Sequence, residues 1–202
     1  MPRGRGADHP GAARRQAADE GGGVFAWRAA RAGYASVVII RPERAEDAGT
    51  IGGVLAAAFA GPAEARLVRQ LRADGDLILA LIAEQNGVAC GYLAFPRLVI
   101  ETPDGNANAC SLAPLAVAPE WQRRGIGTAL VRDGLRLLAG RNETLVFVLG
   151  DPRYYARFGF DAAAARPFEC AYAGTHLMAL RLNGNAPGEG TLCYPAAFAE
   201  LG

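Results

Sequence analysis

A polar, glycine-punctuated run occupies residues 122–128: Gln122, Arg123, Arg124, Gly125, Ile126, Gly127 and Thr128. The chemistry these residues suit is the holding of an anion. A helix that opens here leaves its first N–H groups without partners, and its dipole places partial positive charge at that end. Gly125 and Gly127 carry no Cβ, so a ligand can approach the backbone and the chain can take positive φ. Arg123 and Arg124 add formal charge. Basic residues at a helix N-terminus cost the helix about 0.3–1 kcal/mol, which an anion would offset, since a charge-assisted hydrogen bond contributes about 1.5–3 kcal/mol. Several amides and one arginine can therefore hold a pyrophosphate. A tight strand-to-helix turn with two solvated arginines fits the same residues. The run contains no G-x-G-x-x-G, and a Walker A motif is impossible because the chain has no lysine.

The elements around this run must position it. Leu112, Leu115 and Val117 give strand character, and Pro119 ends the strand because proline cannot donate to a ladder. Ala129, Leu130, Leu137 and Leu138 recur near a spacing of 3.6, the apolar face of a helix. Earlier in the chain, 37–41 reads as a first strand. Asp47 starts a helix carrying Ile51, Val54, Leu55 and Phe59. A second helix carries Ala65, Leu67, Val68 and Leu71 and stops at Asp74-Gly75. Residues 77–84 and 88–95 flank Asn86-Gly87, a strong hairpin signal. Residues 96–101 extend the second arm, 102–106 turn, and 108–117 is expected to be one central strand. Pro114 inside it predicts a bulge or a place where neighbouring strands part. Residues 144–150 read as a buried strand, and Asp151-Pro152 as a cap and first turn of a short helix. Residues 168–172 and 176–182, around Ala173-Gly174, read as a final hairpin.

Composition bounds the function. The 202 residues suit a single domain with a buried core; 51% are apolar and 20% charged, as in ordinary globular proteins. A net charge of +1 gives no general attraction to nucleic acid or membrane, and neither partner is expected. Cys90, Cys110, Cys170 and Cys193 are widely spaced, with no C-x-x-C. They read as small buried residues of a reducing, cytoplasmic compartment, and no metal site is expected. No apolar run is long enough for a transmembrane helix. Residues 1–36 are rich in Gly, Ala and Arg and read as a flexible extension, with a short helix conceivable over 24–34; the folded domain is expected over 37–202. A basic targeting or RNA-touching arm is the alternative for the extension.

Residues 122–127, Q-R-R-G-I-G directly after a strand ending L-A-V, resemble motif A of the GNAT N-acetyltransferase superfamily, Q/R-x-x-G-x-G/A. Y-A-R-F-G-F (155–160) matches that family's Y-x-x-x-G-F. Together with G-D-P-x-Y-Y-x-R-F-G-F and a C-terminal Y-P-x-A-F, the chain looks like a small bacterial subgroup of the family, over roughly 37–198. The resemblance implies an α/β (α+β) fold: a mixed, mostly antiparallel sheet of about six to seven strands, splayed at the central strand and flanked by about four helices. It implies a co-substrate, acetyl-CoA or another acyl-CoA, whose pyrophosphate would lie on residues 122–128 and whose pantetheine would pair with the backbone of Leu115, Ala116 and Val117. It implies transfer of the acyl group to an unidentified amine by direct attack on the thioester. Tyr155 takes the place of the usual general acid: a phenol, ordinarily near pKa 10, stays protonated at neutral pH and can donate to the leaving sulfur. For Tyr154 packing is the expectation. Family members often dimerise, so a homodimer is an open expectation.

The base is harder to find. Many family members carry a glutamate on the central strand, where this chain has Cys110, Ser111 and no acid. Glu101, Asp151 and Glu169 are the substitutes considered, and a water chain or an amine that arrives neutral needs none. His9 lies in the extension. His176 suits a structural role, and a Cys–His nucleophile would need it beside Cys110 or Cys170. The missing acid leaves a second reading open: a GNAT-fold module that senses acyl-CoA without turnover.

Overall fold

The computed structural model describes residues 16–17, 25–28, 37–59, 61–141 and 143–201. In chain order it contains β1 (Gln16–Ala17), β2 (Phe25–Arg28), β3 (Val37–Pro42), α1 (Ala48–Ala58), α2 (Ala63–Asp74), β4 (Leu77–Gln85), β5 (Val88–Thr102), β6 (Gly105–Ser111), β7 (Leu115–Val117), α3 (Ile126–Ala139), β8 (Leu145–Leu149), α4 (Pro152–Tyr155), α5 (Ala162–Ala165), β9 (Phe168–Glu169), β10 (Leu177–Arg181) and β11 (Gly190–Cys193). One sheet runs β1-β2-β3-β4-β5-β6-β8-β10, with β7 and β11 also on β5 and β9 on β11. Among the described residues only β6–β8 and β9–β11 are parallel. Six of the strands are long; β1, β2, β7, β9 and β11 have two to four residues each.

Residue alternation along β5 divides the core. Leu93 and Phe95 face α3, with Leu130, Val131, Val146 and Val148. Tyr92 and Ala94 face α1 and α2, with Ile51, Leu55, Val68 and Ala116. Farther along, Leu98 and Ile100 share that second side with Phe147, Phe168 and Leu192. The α3 packing is close: a Cβ on Gly134 would stand 2.5 Å from the Phe95 ring.

Three expectations are corrected. The central strand is not continuous over 108–117. Residues 112–114 interrupt it, with a cis Ala113–Pro114 bond, and the Ala113 N–H and Pro114 carbonyl both bond Ala94, at 3.0 and 3.1 Å. The final hairpin does not form. β10 pairs with β8, and β9 with β11. A turn signal such as Ala173-Gly174 fixes a reversal, not a partner; Leu177, Met178 and Ala179 are buried and take the open edge of β8. Lastly, the described part of 24–34 is the strand β2, which lies antiparallel on β3, Phe25 opposite Ile40. The rest of residues 1–36, apart from β1, lies outside the described residues.

Candidate active site

The site begins where two strands part. β6 pairs with β8 through Cys110↔Val146 and Ser111↔Phe147, and the Leu112 N–H donates to the Phe147 carbonyl at 2.8 Å. Beyond that point, among the described residues, β7 pairs only with β5, while β8 continues against β10. The Ala118 N–H donates to the Cys90 carbonyl at 3.0 Å, and Ala116 is opposite Tyr92. Backbone groups in an antiparallel ladder alternate in direction, so those of Leu115 and Val117 turn away from β5 into the gap. The Val117 carbonyl confirms the direction, since it accepts from Gln122 Nε2 at 3.0 Å. The side chains of Leu115 and Val117 meanwhile pack against the α3-side core. Core side chains and an open backbone edge thus belong to the same residues.

Past the gap, Pro119–Trp121 makes a single 3-10 turn and the chain enters α3 through Gly125. Arg123 has φ 59° and Gly125 φ 87°, on either side of Arg124. Alternation of this kind turns successive N–H groups toward one concavity. Arg123 tolerates the left-handed region poorly, a cost of about 1–3 kcal/mol, whereas Gly125 adopts it freely. The Gly125 carbonyl accepts from Ala129 at 3.0 Å, and the N–H groups of Ile126, Gly127 and Thr128 precede any in-helix acceptor. No acid occupies that first turn. Arg124 is fixed by a 2.6 Å bond to the Glu120 carbonyl and lies 5.1 Å over the Trp121 ring. Arg123 is exposed and available.

Two tyrosines approach from the other wall. Asp151 caps α4, its Oδ1 accepting from the Arg153 N–H at 2.9 Å. This fixes Tyr155 flat against Gly150, where a Cβ would meet its ring at 2.5 Å, with Phe160 edge-on at 5.9 Å. Burial pushes the Tyr155 phenol up to about 12, so it stays protonated across the neutral range. No buried side-chain oxygen or nitrogen lacks a partner among the described residues, so the Tyr155 hydroxyl, which has none there, must reach solvent. Tyr154 does more than pack. Its hydroxyl lies 3.0 Å from where a Gly127 Cβ would be, and Arg157 stacks 4.7 Å over its ring. The sequence offered no signal for this, because the contact joins two turns far apart in the chain.

Residues 76–162 match the family profile described as Acetyltransferase (GNAT) domain. The uncharacterized N-acetyltransferase YhbS of Escherichia coli (strain K12) is 38% identical over 139 residues, 68% of this chain and 82% of that protein. The chain belongs to the GNAT acetyltransferase family. Among solved structures, E. coli YhbS in complex with CoA aligns at TM-score 0.76 and 32% identity, covering 86% of this chain and 98% of that one. A GNAT acetyltransferase from Brucella melitensis in complex with acetyl-CoA aligns at TM-score 0.68 and 34% identity, covering 80% and 97%.

In this GNAT chain the substitutes for a base lie elsewhere or are occupied. Glu101 and Glu169 both register with Thr191 and line a cavity of about 360 Å³ at the far end of the sheet. Asp151 is held as a helix cap. His176 Nδ1 rests 3.2 Å from the Gly150 carbonyl. Cys110 is buried in the α3-side core, where burial raises its thiol pKa, and burial likewise lifts Cys90 to about 11. Among the described residues no group of three His, Cys, Asp or Glu is placed to hold a metal, and no helix is long and apolar enough to cross a membrane. The sequence reading also missed two ionic networks on the α1–α2 side. Arg41 bonds Asp47 and Glu84, while Glu43 accepts from Arg72 and from the Tyr92 hydroxyl.

Proposed function

We propose that this GNAT chain transfers acetyl from acetyl-CoA to an amine by direct attack of the amine on the thioester. The observation that carries the reading is the pairing gap between β7 and β8, which opens onto the unpartnered amides at the start of α3. The pantetheine would add to the strand edge at Leu115, Ala116 and Val117. The pyrophosphate would take the N–H groups of Gly125, Ile126, Gly127 and Thr128, with Arg123 closing over it and Gln122 and Arg124 shaping the loop. Tyr155 would give its proton to the departing thiolate, a contribution on the order of 10²–10⁴-fold. The relatives solved with CoA and acetyl-CoA support this donor. We further take 37–202 as the acyltransferase domain of a cytoplasmic protein and 1–36 as its extension.

Calorimetric titration with acetyl-CoA tests the donor site, with Gly125→Glu as the control that places a carboxylate in the cradle. Binding that the variant abolishes supports it; no binding of acetyl-CoA or longer acyl-CoAs by the folded protein overturns it. The lack of an acid on β6 and β7 favours a second reading, a sensor without turnover. Tyr155→Phe separates the two: an enzyme keeps donor affinity and loses kcat, whereas a sensor releases no CoA with any amine.

A further inference from the structure

We propose that the cavity between α5 and the 173–175 loop holds the far end of the acceptor, and that the acceptor is an amine carrying an apolar group with a carboxylate at its end; the inference rests on the donor site proposed above. The cavity encloses about 340 Å³, at the small end of the range for ligand pockets. Ala162, Ala165, Phe168 and Leu177 give it apolar walls, with Arg166 and Thr175 exposed at its rim. Register ties it to the gap. Leu177 stands opposite Leu149, and the Gly150 N–H donates to the His176 carbonyl at 3.0 Å. Leu149 and Leu177 are therefore a non-hydrogen-bonded pair, with Cα atoms about 4.5 Å apart and side chains close. The N–H and carbonyl of Leu149 turn away from β10, to the side on which the Phe147 carbonyl takes the Leu112 N–H; beyond Leu112 that side is the gap. The Leu149 side chain shares a face with Phe147 and Leu177, both buried in one cluster. Leu149 is nonetheless 53% exposed. An apolar side chain left open between the gap and an apolar cavity marks the path by which an amine at the thioester runs its tail into the cavity.

The walls are set before a ligand arrives. The Ala173 N–H bonds the Cys170 carbonyl and the Leu177 N–H the Gly174 carbonyl, both at 3.2 Å, so the loop is held by its own turns. Tyr172, at its base, packs edge-on against Tyr194 at 4.9 Å, and Tyr194 against Phe198 at 5.2 Å. Phe168 is pinned on Phe147 at 5.1 Å. Charge selects the occupant. Arg166 is the one charged residue among those lining the cavity, and its guanidinium has no partner among the described residues. The acids nearby in the chain, Glu169 and Glu189, line the separate cavity at the far end of the sheet. A carboxylate on Arg166 makes a charge-assisted contact that a planar fork can double. A polyamine would set a second cation against it.

Thiol release is measured with the full chain at saturating acetyl-CoA, using 4-(2-aminoethyl)benzoate, phenethylamine and spermidine as probe amines. The carboxylate amine is expected to exceed phenethylamine in kcat/KM by about tenfold, with spermidine lowest. Arg166→Glu should cancel that advantage through KM. Thr175→Trp, which places an indole at the mouth, should raise KM for both aromatic amines by about tenfold or more, with acetyl-CoA affinity and melting temperature near wild type. Equal kcat/KM for the two aromatic amines, a preference for spermidine, or unchanged KM values in Thr175→Trp overturns the proposal. So does a wild type that binds acetyl-CoA yet turns over none of the three. A wild type that does not bind acetyl-CoA overturns the donor site instead. The cavity is then judged by calorimetric titration with 4-(2-aminoethyl)benzoate alone: binding that Thr175→Trp removes supports it, and no binding overturns it.

Discussion

The two faces of the sheet beside the gap are held by different physics. On the α3 side the helix lies directly on the strands: the Phe95 ring occupies the space a Gly134 side chain would need, and Leu130, Val146 and Val148 fill the rest. An ion pair, Arg97 with Glu143, ties the region beyond the helix C-terminus. On the α1–α2 side, Arg41 grips Asp47 at 2.6 and 2.8 Å and also Glu84, and Arg72 reaches Glu43 at 2.9 and 3.0 Å. Close apolar contact fixes distance, since a ring against a backbone has no slack. Long charged side chains fix orientation and tolerate small shifts in distance. The face proposed to present helix amides to a pyrophosphate needs the first property. The α1–α2 face works with the second.

Removing one charge tests the α1–α2 side most severely. Arg41→Ala leaves Asp47 and Glu84 facing each other in a largely buried site, and should cost about 3–5 kcal/mol in urea denaturation. Replacing all three with apolar residues of similar volume should cost far less, because the uncompensated charges go too. A loss under about 1 kcal/mol for Arg41→Ala would mean that charge does not hold this face. On the α3 side, Gly134→Ala forces the helix or Phe95 to move and should cost about 1–3 kcal/mol. Because α3 carries the proposed amide cradle, the same variant should also weaken acetyl-CoA binding, read by calorimetry. Unchanged stability and affinity would show that the α3 contact has slack after all.

The same contrast explains what was legible in the sequence. Most elements were, because apolar periodicity and turn residues are local: Asn86-Gly87, Asp74-Gly75 and Asp151-Pro152 all stand where elements end or begin. The loop 122–128 was legible because close approach to a backbone demands glycine, and demands it at a fixed spacing. The partner of β10 was not, since Leu177–Arg181 is an apolar run that suits any open strand edge. Nor was the contact of Tyr154 with Gly127, which depends on how two turns meet across the gap.

Acid should loosen the two faces unequally, and Asp47 sets the window. Its hydrogen bonds from Arg41, helped by the Arg44 N–H and opposed by burial, hold its carboxyl at about 2 instead of the usual 3.8. The folded value lies below the unfolded one, so the protein binds fewer protons at Asp47 when folded. The stability this contributes is complete above about pH 5 and is lost as pH falls toward 2, at most about 2.5 kcal/mol for a shift of this size. Urea midpoints measured at pH 5 and pH 2.5 should therefore fall for the wild type. In Asp47→Asn that portion of the slope should vanish, with stability already lower at pH 5. Gly134→Ala carries its defect in packing, so its deficit relative to wild type should be the same at both pH values. An equal slope in wild type and Asp47→Asn would mean that the Arg41 pairing, despite its geometry, contributes nothing that protonation can remove.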